Sequence, residues 1–373
     1  MNLYEMLVEK ALQRGKYTAI VFENEKIKYR DLIKKIDAFS QILLDFGIKK
    51  DEKVAILLKN SPDFIIAYFA ILKIGGVVVP LNFFSKEQEL SYILNNAKVV
   101  LLITSYDFKE IAENVKLNCK SLKEVFYMER TKPGSSVAKE LSFAPEVKEE
   151  DVATILYTSG TTGHPKGTLL THKNFISNVI SCSKAINVNP EDRFLCFLPM
   201  FHSFSWTICV LLPLWVGARI VVVSSLKPLR KFFATIFKRR ITLFAGIPAI
   251  YNALIRMPGF LARIIFRRVR ICVSGADALS PETLEKFEKK FRIPLLEGYG
   301  LTEASPVVSI NPLDRARKPG TIGLPLPDVE VKVVDEKGDE APKDVPGELI
   351  VKGANVMKGY YELEMETNEA IKG

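Results

Sequence analysis

Short apolar runs alternate with segments of helical period through the first third of the chain. That alternation constrains the fold more than any other feature. Thr18 to Phe22 reads as a strand, and Tyr29 to Phe46 then carries Leu32, Ile36, Phe39, Leu43 and Phe46 at helical spacing. Val54 to Leu58 reads as a buried strand. Ser61-Pro62 supplies an N-cap followed by proline at the first helical position, opening a helix that runs to Leu72. Val77 to Leu81 is again strand-like, Ser85-Lys86-Glu87-Gln88 has the pattern of a capping box, and Val99 to Thr104 completes a further repetition. Such alternation predicts an α/β fold with largely parallel, buried sheets. Residues 129–150 lose the periodicity and gain Pro, Gly, Ser and charge, which places a linker there and bounds a first α/β region at 1–150. A second α/β region is expected over 151–325, with a strand at Ile271 to Val273 and a helix capped by Ser280-Pro281. Beyond Pro327, Val329, Val331 and Val333 alternate with charged residues. A Glu336-Lys337-Gly338-Asp339 turn and a strand from Glu348 to Lys352 complete a small β-rich unit over 326–373.

At 373 residues the chain is too long for one ordinary core, so two or three packed units are expected. Its 48% hydrophobic and 25% charged content is that of a globular protein. The five cysteines, Cys119, Cys182, Cys196, Cys209 and Cys272, are odd in number and form no C-x-x-C pair. This argues against a disulfide framework or zinc site and for a reducing, cytoplasmic compartment. The three histidines, His164, His172 and His202, show no metal-ligand spacing. Phe64 to Phe84 is broken by Lys73, Gly75 and Gly76, and Thr207 to Val223 contains Pro213 and Arg219; both read as buried core rather than membrane spans. The net charge of +9 favours an acidic ligand, and no nucleic-acid motif accompanies it. Basic residues concentrate in Lys227–Arg240 and Arg256–Arg270, mixed with Phe, Ile and Leu. Those stretches read either as solvated helix faces over the core or as peripheral contacts with the inner face of an anionic membrane.

The chemistry concentrates in Tyr157-Thr158-Ser159-Gly160-Thr161-Thr162-Gly163-His164-Pro165-Lys166-Gly167. Glycines let backbone N–H groups approach an anion, hydroxyls donate to oxygens, and Lys166 supplies a point charge. The composition suits a polyphosphate. It is not a Walker A loop, which needs Gly-Lys-Ser/Thr in succession. The plainer reading is a flexible turn between a strand and a helix. A second motif, Glu297-Gly298-Tyr299-Gly300-Leu301-Thr302-Glu303, joins a stacking face on Tyr299, a donor on Thr302 and a carboxylate on Glu303 able to hold Mg²⁺. Ser274-Gly275-Ala276-Asp277 follows a strand and precedes a capped helix. Leu198-Pro199-Met200-Phe201-His202 sets a lone histidine among apolar residues, where core packing is the plainer reading.

These segments, in this order, resemble the adenylate-forming superfamily of acyl-CoA synthetases, luciferases and nonribosomal-peptide adenylation domains, and in particular the N-terminal large domain of AMP-dependent fatty-acid–CoA ligases. The resemblance covers almost the whole chain, including Leu72 to Leu81 and Gly347 to Gly353, which are read as structural. It implies an acyl-CoA-synthetase-like fold of two α/β subdomains plus the β-rich unit. Thr158, Ser159, Gly160, Thr161, Thr162, Gly163 and Lys166 would hold the ATP phosphates. Gly275, Ala276, Asp277, Glu297, Gly298, Tyr299 and Gly300 would cradle adenine, Thr302 would contact the α-phosphate and Glu303 would bind Mg²⁺. His202 would stand at the carboxylate, with Trp206, Val210, Gly246, Ile247, Pro248, Tyr251 and Leu254 as the acyl pocket wall.

The implied activity is activation of a carboxylic acid to acyl-AMP, with release of pyrophosphate and transfer to CoA. Lys166, His202, Thr302 and Glu303 would be the catalytic residues. No Asp or Glu lies between Phe194 and Val223 to pair with an α-amino group, so an acid with an uncharged tail is expected; the resemblance implies a medium- or long-chain fatty acid. An adenylation domain loading a carrier protein and a non-catalytic nucleotide-binding or membrane-docked protein remain the alternatives. The family's T-G-D motif and mobile lid with its catalytic lysine are not found in the sequence. The expectation is therefore an incomplete β-rich unit without its C-terminal lid, and weak or no acyl-CoA synthesis by this chain alone.

Overall fold

A computed structural model describes residues 1–128, 145–158 and 165–372. In chain order the strands are β1 Thr18–Phe22, β2 Glu25–Lys28, β3 Lys53–Leu57, β4 Val77–Pro80, β5 Leu101–Thr104, β6 Glu124–Tyr127, β7 Val152–Thr158, β8 Lys166–Thr171 and β9 Arg193–Cys196. There follow β10 Arg219–Val222, β11 Leu243–Gly246, β12 Ile271–Ser274, β13 Leu295–Gly300, β14 Val307–Ile310, β15 Leu324–Pro325, β16 Val329–Val334, β17 Glu348–Gly353 and β18 Gly359–Tyr360. One sheet has the order β18-β8-β7-β4-β3-β5-β6, the other β15-β14-β13-β12-β11-β9-β10-β1-β2. Both are parallel in their interiors; the second is antiparallel at both ends, the first only at its β18-β8-β7 end, since β5 and β6 run parallel. The interior strands are apolar runs buried along their length, as strands covered on both faces must be.

The α/β class and the small antiparallel β16–β17 unit agree with the sequence. The sequence boundaries do not follow the sheets. β1 and β2 leave the first region to finish the second sheet, while β7 and β8 leave the second region to finish the first. β18, expected in the β-rich unit, returns to the edge of β8. Pairing at a sheet edge is chosen by long-range register, which local periodicity does not encode. The two sheets also share one core. The helix Pro62–Lys73 is buried on nearly every side, as an all-apolar helix should be. Its Tyr68 ring stacks on Trp206, 3.9 Å between centroids, tying the first region to the second.

Ser61 and Ser280 cap their helices as read, each accepting the backbone N–H three residues on. The capping box at Ser85 is not formed. The helix begins at Glu87 behind Lys86, with no side-chain cap. Asn82 instead accepts the Phe84 N–H, and that turn holds Ser85 short of the capping position. His172 is buried, and its Nδ1 accepts the Leu3 N–H at 3.2 Å, which docks the first helix; burial lowers its pKa to about 4.

Candidate active site

Strands β7 and β8 form an antiparallel ladder in which Thr158 pairs with Lys166. The motif is thus flanked by two antiparallel strands rather than by a strand and a helix. Ser159, Gly160, Thr161, Thr162, Gly163 and His164 lie outside the described residues. In β8, Gly167 leaves no room for a Cβ: one would lie 2.8 Å from Ile155 Cγ2. Its carbonyl accepts the Tyr361 N–H at 2.7 Å.

The second motif ends β13 and turns sharply back. A Cβ on Gly300 would lie 2.0 Å from the Pro306 carbonyl oxygen, so only glycine fits. The Leu301 N–H donates to that same carbonyl, and Thr302–Ala304 form a single 3₁₀ turn. Thr302 and Glu303 are thereby left half-buried at the rim. Thr302 Oγ1 lies 3.4 Å from Ser203 Oγ. Glu303 is held from two directions: its carbonyl accepts the Met357 N–H at 2.8 Å, and its Oε1 accepts the Tyr360 hydroxyl at 2.9 Å.

Tyr360 is the contact the sequence did not reveal. Its hydroxyl touches Glu303, while its ring centre lies 5.5 Å from the Lys166 ammonium, within cation–π range. Asn355 and Asn174 brace the segment that carries it: Asn355 Nδ2 donates to the Ala304 carbonyl, and Asn174 Nδ2 to those of Ala354 and Val356. Burial and the Glu303 carboxylate both raise the Tyr360 pKa, so it stays a donor at neutral pH.

A cavity of about 200 Å³ opens beside this rim. His202, Ser203, Tyr299 and Thr302 bring polar side chains to its lining, beside the backbone of Gly275, Ala276, Gly298 and Gly300. Cys182, Ala185, Ile186, Phe204, Ile208, Val273, Val307, Ile310 and Leu326 bring apolar ones. His202 caps the helix that starts at Ser203, its Nδ1 accepting the Phe204 N–H at 3.3 Å. The ring is solvent-accessible at the rim, yet enough protein surrounds it for desolvation to hold its pKa below the ordinary value. It is therefore neutral at pH 7.

Several expected residues stand elsewhere. Trp206, Val210, Gly246, Ile247, Pro248, Tyr251 and Leu254 do not line this cavity. Trp206 and Val210 lie on a helical segment that turns them into the aromatic core. Tyr251 is fully buried, donating to the carbonyls of Phe244 and Val273, and its ring closes over Gly246. Glu297, expected to touch the nucleotide, is buried with Oε1 accepting the Leu279 N–H at 2.9 Å; it braces the Ser274–Leu279 turn instead. Asp277 is exposed and binds the N–H of Ala278. Among the described residues, no group of three or more His, Cys, Asp or Glu side chains could enclose a metal. A single carboxylate with one oxygen already bonded to Tyr360 fits a Mg²⁺ ion that arrives with its phosphates, since that ion keeps most of its ligands from water and phosphate.

Residues 7–361 match the family model for AMP-binding enzymes. The chain belongs to that family. It is 32% identical to a long-chain-fatty-acid–CoA ligase of Bacillus subtilis (strain 168), covering 100% of this chain and 72% of the relative. It is 29% identical to the mitochondrial malonate–CoA ligase ACSF3 of Mus musculus, covering 97% of this chain and 68% of the relative. Among solved structures, ATP-bound MatB from Rhodopseudomonas palustris superposes with a TM-score of 0.89 at 26% identity, covering 99% of this chain and 74% of that one. The family match and these acid–CoA ligase relatives carry ATP-dependent activation of a carboxylic acid to this member of the AMP-binding enzymes. No described helix is long and apolar enough to cross a membrane.

Proposed function

We propose that this AMP-binding enzyme adenylates a carboxylic acid with an uncharged aliphatic tail, a medium- or long-chain fatty acid, and in the complete reaction passes the acyl group to CoA. The observation that carries the substrate class is the cavity lining. Most of its lining side chains are apolar, with no Lys or Arg along the described wall. A second carboxylate, such as that of malonate, would be buried there without a partner, at a cost of several kcal/mol. An α-amino group would equally lack a carboxylate. The name of the Bacillus relative supports the same reading; that of the mouse relative warns that the family spans both acid classes.

In this reading the acid carboxylate attacks the α-phosphorus of ATP. The bond from that phosphorus to the bridging oxygen breaks, and pyrophosphate leaves with its electron pair. No protein nucleophile is needed. Lys166 and the hydroxyls of Thr158, Ser159, Thr161 and Thr162 would bind the leaving phosphates, and Glu303 would hold the Mg²⁺ that accompanies them. Thr302 donates to the α-phosphate, Tyr299 stacks on adenine, and neutral His202 stands beside the carboxylate without drawing off its charge. These are positioning and electrostatic roles, which supply most of the catalysis in phosphate chemistry of this kind.

The test is acid-dependent ATP–pyrophosphate exchange across a panel of acids. Saturated aliphatic acids should support exchange, while malonate and amino acids should not. Exchange driven best by malonate would overturn the substrate class. ATP binding without exchange for any acid would overturn the activity.

A further inference from the structure

The helices Leu229–Arg239 and Gly259–Ile265 lie in the most basic stretch of the chain's second half. Between Asp192 and Asp277 the sequence holds thirteen Lys or Arg residues and no carboxylate. The two helices pack together, and the Arg267 guanidinium lies 4.6 Å from the Phe237 ring centre, linking them. Phe232, Ile236 and Ala262 face the core. Outward stand Leu229 (58% exposed), Phe260 (67%), Leu261 (39%) and Ile264 (50%). Phe260 and Ile264 are four residues apart, so they share one helix face. Around them Arg230, Lys238, Arg256, Arg263, Arg267 and Arg268 are exposed. No described carboxylate forms an ion pair with any of these six; Lys231 and Arg270, by contrast, reach Glu23 and Asp192.

A cluster of exposed large apolar side chains ringed by unpaired cations asks for an occupant that offers hydrocarbon and anions at one boundary. We propose that this face docks on the surface of a bilayer rich in anionic phospholipid. Phe260, Leu261 and Ile264 enter the boundary between headgroups and acyl chains, and the surrounding Arg and Lys side chains meet lipid phosphates. Nucleic acid would satisfy the cations but leave Leu261 and Ile264 without a place, because only a planar ring stacks on a base. Docking of this kind goes beyond the adenylation reading and does not depend on it. If both hold, the enzyme sits where apolar acids partition.

The experiment co-sediments the full chain with phosphatidylglycerol or phosphatidylcholine vesicles at low and high salt. Binding should require phosphatidylglycerol and weaken as salt rises. Arg263→Gln and Arg268→Gln should each lower the partition coefficient about fivefold, and Phe260→Ser with Ile264→Ser should lower it further. All four positions are exposed, and thermal melts check that the variants fold. As an independent readout, the tryptophan emission of a Phe260→Trp variant should shift to the blue on phosphatidylglycerol vesicles. Absence of binding at low salt, binding unaffected by all these substitutions, or an unshifted emission from the Phe260→Trp variant on bound vesicles would each overturn the proposal. Binding to duplex DNA at a salt concentration that releases the chain from vesicles would reassign the face to nucleic acid.

Discussion

The polar and the apolar lining of the cavity are built by different means. The polar lining is made of turns. His202 caps a helix and Thr302 stands in the single turn after β13; Glu303 follows it on the adjoining rim, outside the cavity lining, and Lys166, at the start of β8, also lies outside it. The apolar lining is made of flanks: Cys182, Ala185 and Ile186 from one side of the helix His172–Ile186, Ile310 from β14, and Leu326 from the segment before β16. A turn that carries chemistry needs particular residue types at particular places, so it leaves a motif. A wall needs only apolar surface of the right shape, which many residues supply.

Removing charge from the rim beside the polar lining should have the largest effect. Lys166→Ala and Glu303→Ala should each slow adenylate formation about a hundredfold, about 2.7 kcal/mol, measured in single turnover. Both side chains are half-exposed, so melting temperatures should barely move. Unchanged single-turnover rates in both variants would detach the chemistry from this rim.

The two described histidines divide along the same line, one serving the fold and one the cavity. His172 titrates at about 4 when folded and near 6.5 when unfolded. The folded state therefore binds fewer protons in that interval. Its contribution to stability is full above pH 6.5 and is lost as pH falls toward 4, about 2 kcal/mol between pH 7 and 5. Denaturation with urea at those two pH values should show this loss, and His172→Gln should reduce it. His202→Gln should change it less and should act on adenylation instead. The opposite assignment would erase the distinction between core and cavity.

Tyr360→Phe tests whether the strand returning from the far end of the chain matters to the charged rim. Deleting one hydrogen bond to the Glu303 carboxylate should slow adenylation about tenfold, ~1.4 kcal/mol, and raise the Mg²⁺ concentration for half-maximal rate. A slower rate with an unchanged Mg²⁺ dependence would make Tyr360 a structural residue only.

The apolar lining should respond most mildly and most selectively. Ala185→Leu should discriminate against longer acids by about fourfold for each methylene it displaces, ~0.8 kcal/mol apiece, and leave short acids untouched. Val210→Trp, by contrast, inserts bulk into a fully buried site and should destabilise the fold by about 1–3 kcal/mol without a selective change in profile. A chain-length shift from Val210→Trp and none from Ala185→Leu would move the pocket back to where the sequence alone had put it.

The contrast between turns and walls also explains what could be read before the structure. The alternating strands and helices, the caps at Ser61 and Ser280, and the polar motifs were legible because each depends on local residue type. The sheet memberships of β1, β2, β7 and β8 were not, because edge pairing is decided across the whole chain. Tyr360 was visible as part of a Gly-Tyr-Tyr run, yet only its pairing with β8 brings it to Glu303 and Lys166. Trp206 and Tyr251 lie in segments that border the cavity in sequence order, but their rings pack into the core. The motif that Glu297 opens places it at the nucleotide, yet its carboxylate accepts a backbone N–H eighteen residues away.

The central claim is that this cavity activates an acid whose tail carries no charge. Its most direct test is a single-turnover reaction of the chain with Mg·ATP and either a saturated aliphatic acid or malonate, quenched and analysed for the acid–AMP mixed anhydride by mass spectrometry. Stoichiometric aliphatic acyl-AMP and little malonyl-AMP are expected, with Ile310→Arg abolishing the former. Preferential formation of malonyl-AMP, or aliphatic acyl-AMP undiminished by Ile310→Arg, would contradict the claim.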